Sequence, residues 1–355
     1  MDKVGIICFL ILSLLSCTEN EESANQQTVL IIYMVADNDL SSEAIDCIET
    51  LKSTYTKNYN CRLVVFADIK NQFPCLIEIN EDGIDIITEY TELNSCNGNN
   101  KRMILTDIDT YYNADKYNII FWSHGSSWLP SPHINKSFGI DGEEEMNITT
   151  LANSLPFKFG FIAFDACYMA SVEVAYELKN KAEYMLASTT SLPYTGFPYK
   201  TILHNLLDGS VGNLKKTTQQ IVTHYNNIDA SFCSTAISLI NLNKMSILAD
   251  EVKQLLNTNP TDLTELSNVW STDKYEQHIY FDFADFISKC IDENISNIEN
   301  ILNEVIVYYD FTEIYTTNNT SGIICSAIAD TKDNRNFFYK KLKWSEDTGW
   351  GIWNK

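Results

Sequence analysis

The run Thr28 to Ala36, TVLIIYMVA, is nine residues long, uncharged and rich in β-branched side chains. An unbroken run of this kind has no polar face to offer water, so it predicts a strand covered on both sides, as in parallel sheets. Four more segments follow the same logic: Cys61 to Ile69, Tyr117 to Ser123, Phe159 to Phe164 and Tyr184 to Thr189. Helical spacing separates them. Ser41 to Lys52 carries Ala44, Ile45, Ile48 and Leu51 on one face, Met103 to Asn113 is amphipathic, Asn147 to Leu155 is a short helix, and Tyr168 to Asn180 reads as another. Alternating strands and helices define a doubly wound α/β unit with right-handed crossovers. Cys75 to Asn80 and Ile84 to Tyr90, around Glu81-Asp82-Gly83, predict an antiparallel hairpin at one edge.

Beyond Tyr199 the pattern turns mostly helical, at Thr201 to Leu207, Asn213 to Tyr225, Lys244 to Leu256 and Ile295 to Val307. Ser321 to Ala329 is one late strand that could rejoin the sheet. There is no internal repeat. Of 355 residues, 45% are hydrophobic and 12% aromatic, enough for a large core. The 47 acidic against 25 basic side chains give a formal charge of -22, a field that repels phosphate backbones and excludes nucleic acid as a partner.

Residues 1–17 have the form of an export signal, with Lys3 followed by the apolar run Val4 to Leu15, too short to span a bilayer as a helix. The run ends Leu14-Leu15-Ser16-Cys17, which resembles a bacterial lipobox. That resemblance implies that Cys17 receives lipid and anchors the exported chain to a bacterial membrane, at the outer membrane or cell surface. Residues 18–27, wholly polar apart from Ala24, read as a flexible tether. Setting Cys8 and Cys17 aside, eight of the ten cysteines remain in the folded body. They are scattered, no CxxC pair occurs and histidine is scarce, which argues against a zinc site.

In an open parallel sheet, ligands bind beyond the carboxyl ends of the strands. His124-Gly125 follows one predicted strand and Asp165-Ala166-Cys167 ends the next. Neighbouring strands lie ~4.8 Å apart, so adjacency would bring an imidazole within reach of a thiol, the arrangement for base-assisted nucleophilic attack. Cys167 would also stand just before or within the first turn of the helix from Tyr168, where the dipole favours a thiolate. The N–H groups of Gly125 and Cys167 could then hold a tetrahedral oxyanion. His133, His204, His224 and His278 read as structural, the last three in helical segments.

The stretches YMVADNDL (33–40), FWSHGSSW (121–128), DACYMASVEVAYEL (165–178), TGFPY (195–199), FDFADF (281–286), SGIICSAI (321–328) and YKKLKWSEDTGW (339–350) resemble the clostripain family of cysteine peptidases, of the caspase and gingipain clan. The resemblance covers nearly the whole chain after the tether. It implies a caspase-like fold with a mostly parallel sheet, helices on both faces, a catalytic core over 28–235 and a largely helical part of the same unit over 236–355. It implies Cys167 as nucleophile, His124 as its partner, peptide substrates, no required cofactor, and Asp165 beneath a pocket for Arg or Lys before the scissile bond. An Asp there could alternatively cap the following helix. Where the family has an acidic ASEE-like sequence, this chain has Ala187-Ser188-Thr189-Thr190, which places Thr190 against the substrate, and Tyr194-Thr195-Gly196 replaces the usual Pro-Gly start of the next turn.

Some relatives are activated by cleavage between the His and Cys strands, which makes Lys136 a candidate self-processing site. Family members can respond to calcium, and Asp141, Glu143, Glu144 and Glu145 offer oxygens, but their spacing fits no EF-hand. A monomeric cysteine endopeptidase is the expectation. The alternative is an inactive surface lipoprotein of the same fold that holds basic peptides in an acidic cleft.

Overall fold

The structure is a computed structural model that describes residues 27–56, 60–129, 137–228, 235–273, 278–292, 294–313, 320–330 and 332–353. In chain order the first half gives β1 (Thr28–Ala36), α1 (Ser41–Thr54), β2 (Cys61–Ile69), β3 (Cys75–Asn80), β4 (Gly83–Glu89) and α2 (Gly98–Tyr112). Next come β5 (Lys116–Trp122), a small hairpin of β6 (Phe138–Asp141) and β7 (Glu144–Met146), then α3 (Ile148–Ser154) and β8 (Phe159–Asp165). After these follow α4 (Val172–Leu178), β9 (Ala182–Ser188), α5 (Tyr199–Asp208), α6 (Val211–Asn227), β10 (Ala236–Asn241) and α7 (Met245–Thr258). The chain closes through β11 (Tyr280–Asp282), α8 (Phe283–Cys290), α9 (Ser296–Val305), β12 (Ile306–Phe311), β13 (Ile324–Ser326), α10 (Arg335–Tyr339) and α11 (Lys343–Thr348).

Nine strands form one sheet in the order β12-β10-β9-β8-β5-β1-β2-β3-β4. The five in the middle, β9, β8, β5, β1 and β2, run parallel, while β3 and β4 at one side and β10 and β12 at the other are antiparallel. β1 shows why its sequence lacks a polar face. Val29, Ile31, Tyr33 and Val35 enter one core with α2, α3, α4 and α7, and Leu30, Ile32, Met34 and Ala36 enter the other with α1, α5 and α6. Helices thus cover both faces, as the caspase-like expectation requires.

Four expectations need correction. The segment from Tyr168 does not enter a helix at once: α4 begins at Val172, capped by Ser171 Oγ on the Val174 N–H. Tyr168 adopts a left-handed φ of 59°, and Tyr168 N–H and Ala170 N–H bond instead to the Thr190 and Ser188 carbonyls. The late strand is shorter than predicted and does not rejoin the large sheet, because β13 pairs antiparallel with β11 in a separate two-stranded sheet. Residues after 235 carry four strands rather than one, and β10 and β12 extend the central sheet. His278 lies just before β11 rather than in a helix, with Nδ1 3.0 Å from Asp273 Oδ1.

Among the described residues, no carboxylate pairs with the buried Lys101. Lys101 on α2 is fully buried, its Nζ 4.7 Å from the Phe121 ring centroid and 5.0 Å from that of Tyr33, and it donates to Met146 Sδ at 2.8 Å. Burial pulls its pKa down to about 7. Between that value and the unfolded one near 10.4 the unfolded chain binds more protons, so this group makes stability rise with pH across that window. Lys101→Met should therefore be more stable than the parent at pH 7 and below, with the gap closing toward pH 10, as followed by urea unfolding at a series of pH values.

Candidate active site

β5 and β8 are hydrogen-bonded parallel neighbours whose register runs from Ile119↔Ile162 to Trp122↔Asp165. Two residues further on, the same offset sets His124 level with Cys167. Both side chains line one cavity of about 120 Å³, walled by Leu40, Trp122, Leu192 and Tyr194. Gly125 permits the approach. A Cβ on it would stand 2.8 Å from both Ala166 Cβ and the Cys167 carbonyl oxygen, and 3.2 Å from the Cys167 nitrogen. The chain after His124 then pairs with the β6 hairpin, Ser126 N–H on the Ser137 carbonyl and Gly139 N–H on the His124 carbonyl. Among the described residues, neither the Gly125 N–H nor the Cys167 N–H has an acceptor.

The thiol and the imidazole have different neighbours. Cys167 Sγ accepts the Leu192 N–H at 3.2 Å, and His124 Nε2 lies 2.7 Å from Asp39 Oδ1. Among the described residues no hydrogen bond joins the thiol to the imidazole. Burial pushes the Cys167 thiol up, opposed in part by the Leu192 N–H. The expected helix dipole is absent from the sulfur, since α4 starts five residues past it.

Asp165, last residue of β8, is buried under the same cavity. It caps no helix. Its oxygens accept the Phe197 N–H at 3.0 and 2.9 Å and the Tyr199 hydroxyl at 3.0 Å. Burial raises its pKa to about 7, against the pull of those two donors. Thr190, by contrast, is not brought to the cavity lining. Its Oγ1 accepts the Ala236 N–H at 3.2 Å and donates to the Ser191 carbonyl, so the hydroxyl stitches β9 to β10. His204 and His224 lie on α5 and α6. Cys17, His133 and Lys136 lie outside the described residues.

Asp141 turns inward, accepting both the Ser95 N–H and hydroxyl. Among the described residues no group of three or more His, Cys, Asp or Glu is placed to hold a metal ion. The seven described cysteines are all free thiols. Asp39, within the stretch YMVADNDL, is not among the residues singled out from the sequence, although its place just past the carboxyl end of a central strand is the signal that could find it.

A mostly parallel sheet with a cysteine and a histidine at the ends of two adjacent central strands defines a caspase-like cysteine endopeptidase. The sequence pattern of the clostripain family matches residues 32–352, and the chain belongs to that family. Clostripain of Hathewaya histolytica is 23% identical, with 82% of this chain and 72% of that protein covered. A secreted C11 cysteine protease of Bacteroides thetaiotaomicron, iotapain, superposes with a TM-score of 0.80 at 22% identity, over 91% of this chain and 99% of that one. An inactive zymogen C11 protease of Parabacteroides distasonis gives 0.79 at 25% identity, over 91% and 98%. The fold is shared throughout. Cysteine peptidases of this family need no cofactor.

Gly125→Ala should shift the Cys167 backbone, with an overpacking cost of roughly 1–3 kcal/mol. The expected outcome is a lower unfolding midpoint in urea together with reduced peptide cleavage.

Proposed function

We propose that the chain is an endopeptidase cleaving after Arg or Lys, with Cys167 as nucleophile and His124 as general base and then general acid. What supports this reading is the β5–β8 register, which ends at Trp122↔Asp165: two residues past each strand, His124 and Cys167 line one cavity. His124 takes the thiol proton as Sγ attacks the peptide carbonyl. The Gly125 and Cys167 N–H groups, which have no acceptor of their own among the described residues, face the developing oxyanion. His124 then passes the proton to the leaving amine, and water hydrolyses the acyl-enzyme.

Asp165 supplies the preference for a cation. A buried carboxylate gains most from a guanidinium or ammonium group that neutralises it, and the acidic molecule attracts such substrates from a distance. Rim residues Leu192 to Gly196 close the pocket without a second acid, so the preference is weaker than two carboxylates would give. Cys17 as a lipid anchor, the exported location and self-processing at Lys136 belong to the same reading. They rest on the sequence and on relatives described as secreted.

A non-catalytic peptide-binding role is favoured by one observation, the separate partners of sulfur and imidazole. Apo geometries of this kind commonly tighten only once substrate binds. The deciding experiment is cleavage of a fluorogenic Arg or Lys peptide by residues 27–355. Cys167→Ala should abolish it, and full activity in that variant would refute the peptidase assignment. Ionisation of Asp165 grows as pH rises through about 7, so selectivity for Lys or Arg over a neutral residue should strengthen across that range. In Asp165→Asn both the selectivity and its pH dependence should be lost, as read by library profiling at pH 6 and pH 8.

A further inference from the structure

We propose that Asp39 is a positioning residue that completes the Cys167–His124 pair, an inference that rests on the peptidase reading above. Its Oδ1 sits 2.7 Å from His124 Nε2. A carboxylate can only accept, so Nε2 carries the proton and Nδ1 is left as the basic nitrogen that takes the Cys167 proton and later delivers it to the leaving amine. Asp39 stays ionised throughout. The hydrogen bond to His124 holds its carboxyl below the usual range.

An exposed ion pair ordinarily contributes little, and the Asp39 side chain is 81% exposed. What separates this contact from a surface encounter is the anchoring of both backbones. Asn38 Nδ2 donates to the Ile140 carbonyl at 2.7 Å and the Val35 carbonyl at 3.2 Å, and Asn38 Oδ1 accepts the Leu40 N–H at 2.8 Å. Ser41 Oγ closes the turn on the Ala36 and Asn38 carbonyls. On the other side, Ser123 Oγ donates to the Val35 carbonyl at 2.7 Å, and Gly139 N–H to the His124 carbonyl at 3.0 Å. Gly142 N–H also reaches the Asp37 carbonyl at 3.1 Å. Val35 and the β6 hairpin are therefore shared supports. They fix the Asp39 turn and the His124 backbone relative to each other, so the imidazole meets a carboxylate whose position is set before substrate arrives.

The test compares Asp39→Ala, Asp39→Asn, His124→Ala and Cys167→Ala on the same basic fluorogenic peptide. For Asp39→Ala the expected result is a kcat about 10- to 100-fold lower with KM unchanged and an unaltered unfolding midpoint. Asp39→Asn should recover much of the rate, its amide oxygen accepting the Nε2–H hydrogen bond in place of the carboxylate, which a merely structural or charge-based role would not restore. A parental kcat in Asp39→Ala, or a faster enzyme, would overturn the proposal while leaving the dyad intact, provided Cys167→Ala is dead. Cleavage surviving in Cys167→Ala would overturn both.

Discussion

The site depends on the pairing of β5 with β8. Asn118, buried on β5, accepts the Phe161 N–H at 3.1 Å through its side chain. Gly160 makes room, since a Cβ there would lie 2.6 Å from Asn118 Oδ1 and 2.2 Å from the Lys116 side chain. Both strands are covered on their two faces, and a slip of one residue would send Phe121 and Phe164, stacked at 5.4 Å, into the opposite core. The register is thus fixed at one end by a polar contact and along its length by packing. The level placement of residues 124 and 167 follows from it.

What happens just past the strand ends is a separate matter. The left-handed Tyr168 and its ties to the end of β9 spend four residues before α4 can start, which removes the helix terminus from the sulfur. The contacts there come from elsewhere in the chain: the Leu192 amide on the thiol, the Asp39 carboxylate on the imidazole. The loops that follow β1 and β9 thus meet over the ends of β5 and β8.

The central strands were legible because a strand covered twice has no polar alternation to obscure it. β1 and β2 fall on the predicted bounds, and the parallel order follows from the intervening helices. β10 was missed because AISLIN is short and follows a segment without a clear turn, and β12 because it continues from α9 with no Gly or Pro between Val305 and Ile306. The helix predicted from Tyr168 failed for a local reason: backbone partners on β9 won over helical propensity, and nothing in CYMAS announces them. His124, Gly125, Cys167 and Asp165 could be chosen from strand ends. Thr190 could not be judged, because whether a strand-end hydroxyl faces a pocket or a neighbouring strand depends on β10, which the sequence concealed.

Asp165 is at once the floor of the cavity and the clasp of the turn above it, with Gly196 so close that a methyl group would fall 2.8 Å from its carboxylate oxygen. Evolution cannot revise that floor without unfastening its own roof. A change at 165 would reach the turn at 196–199, whereas the wall at 192–195, part of it open to solvent, can vary without undoing that clasp, so diversification in a lineage of this scaffold should run along the rim.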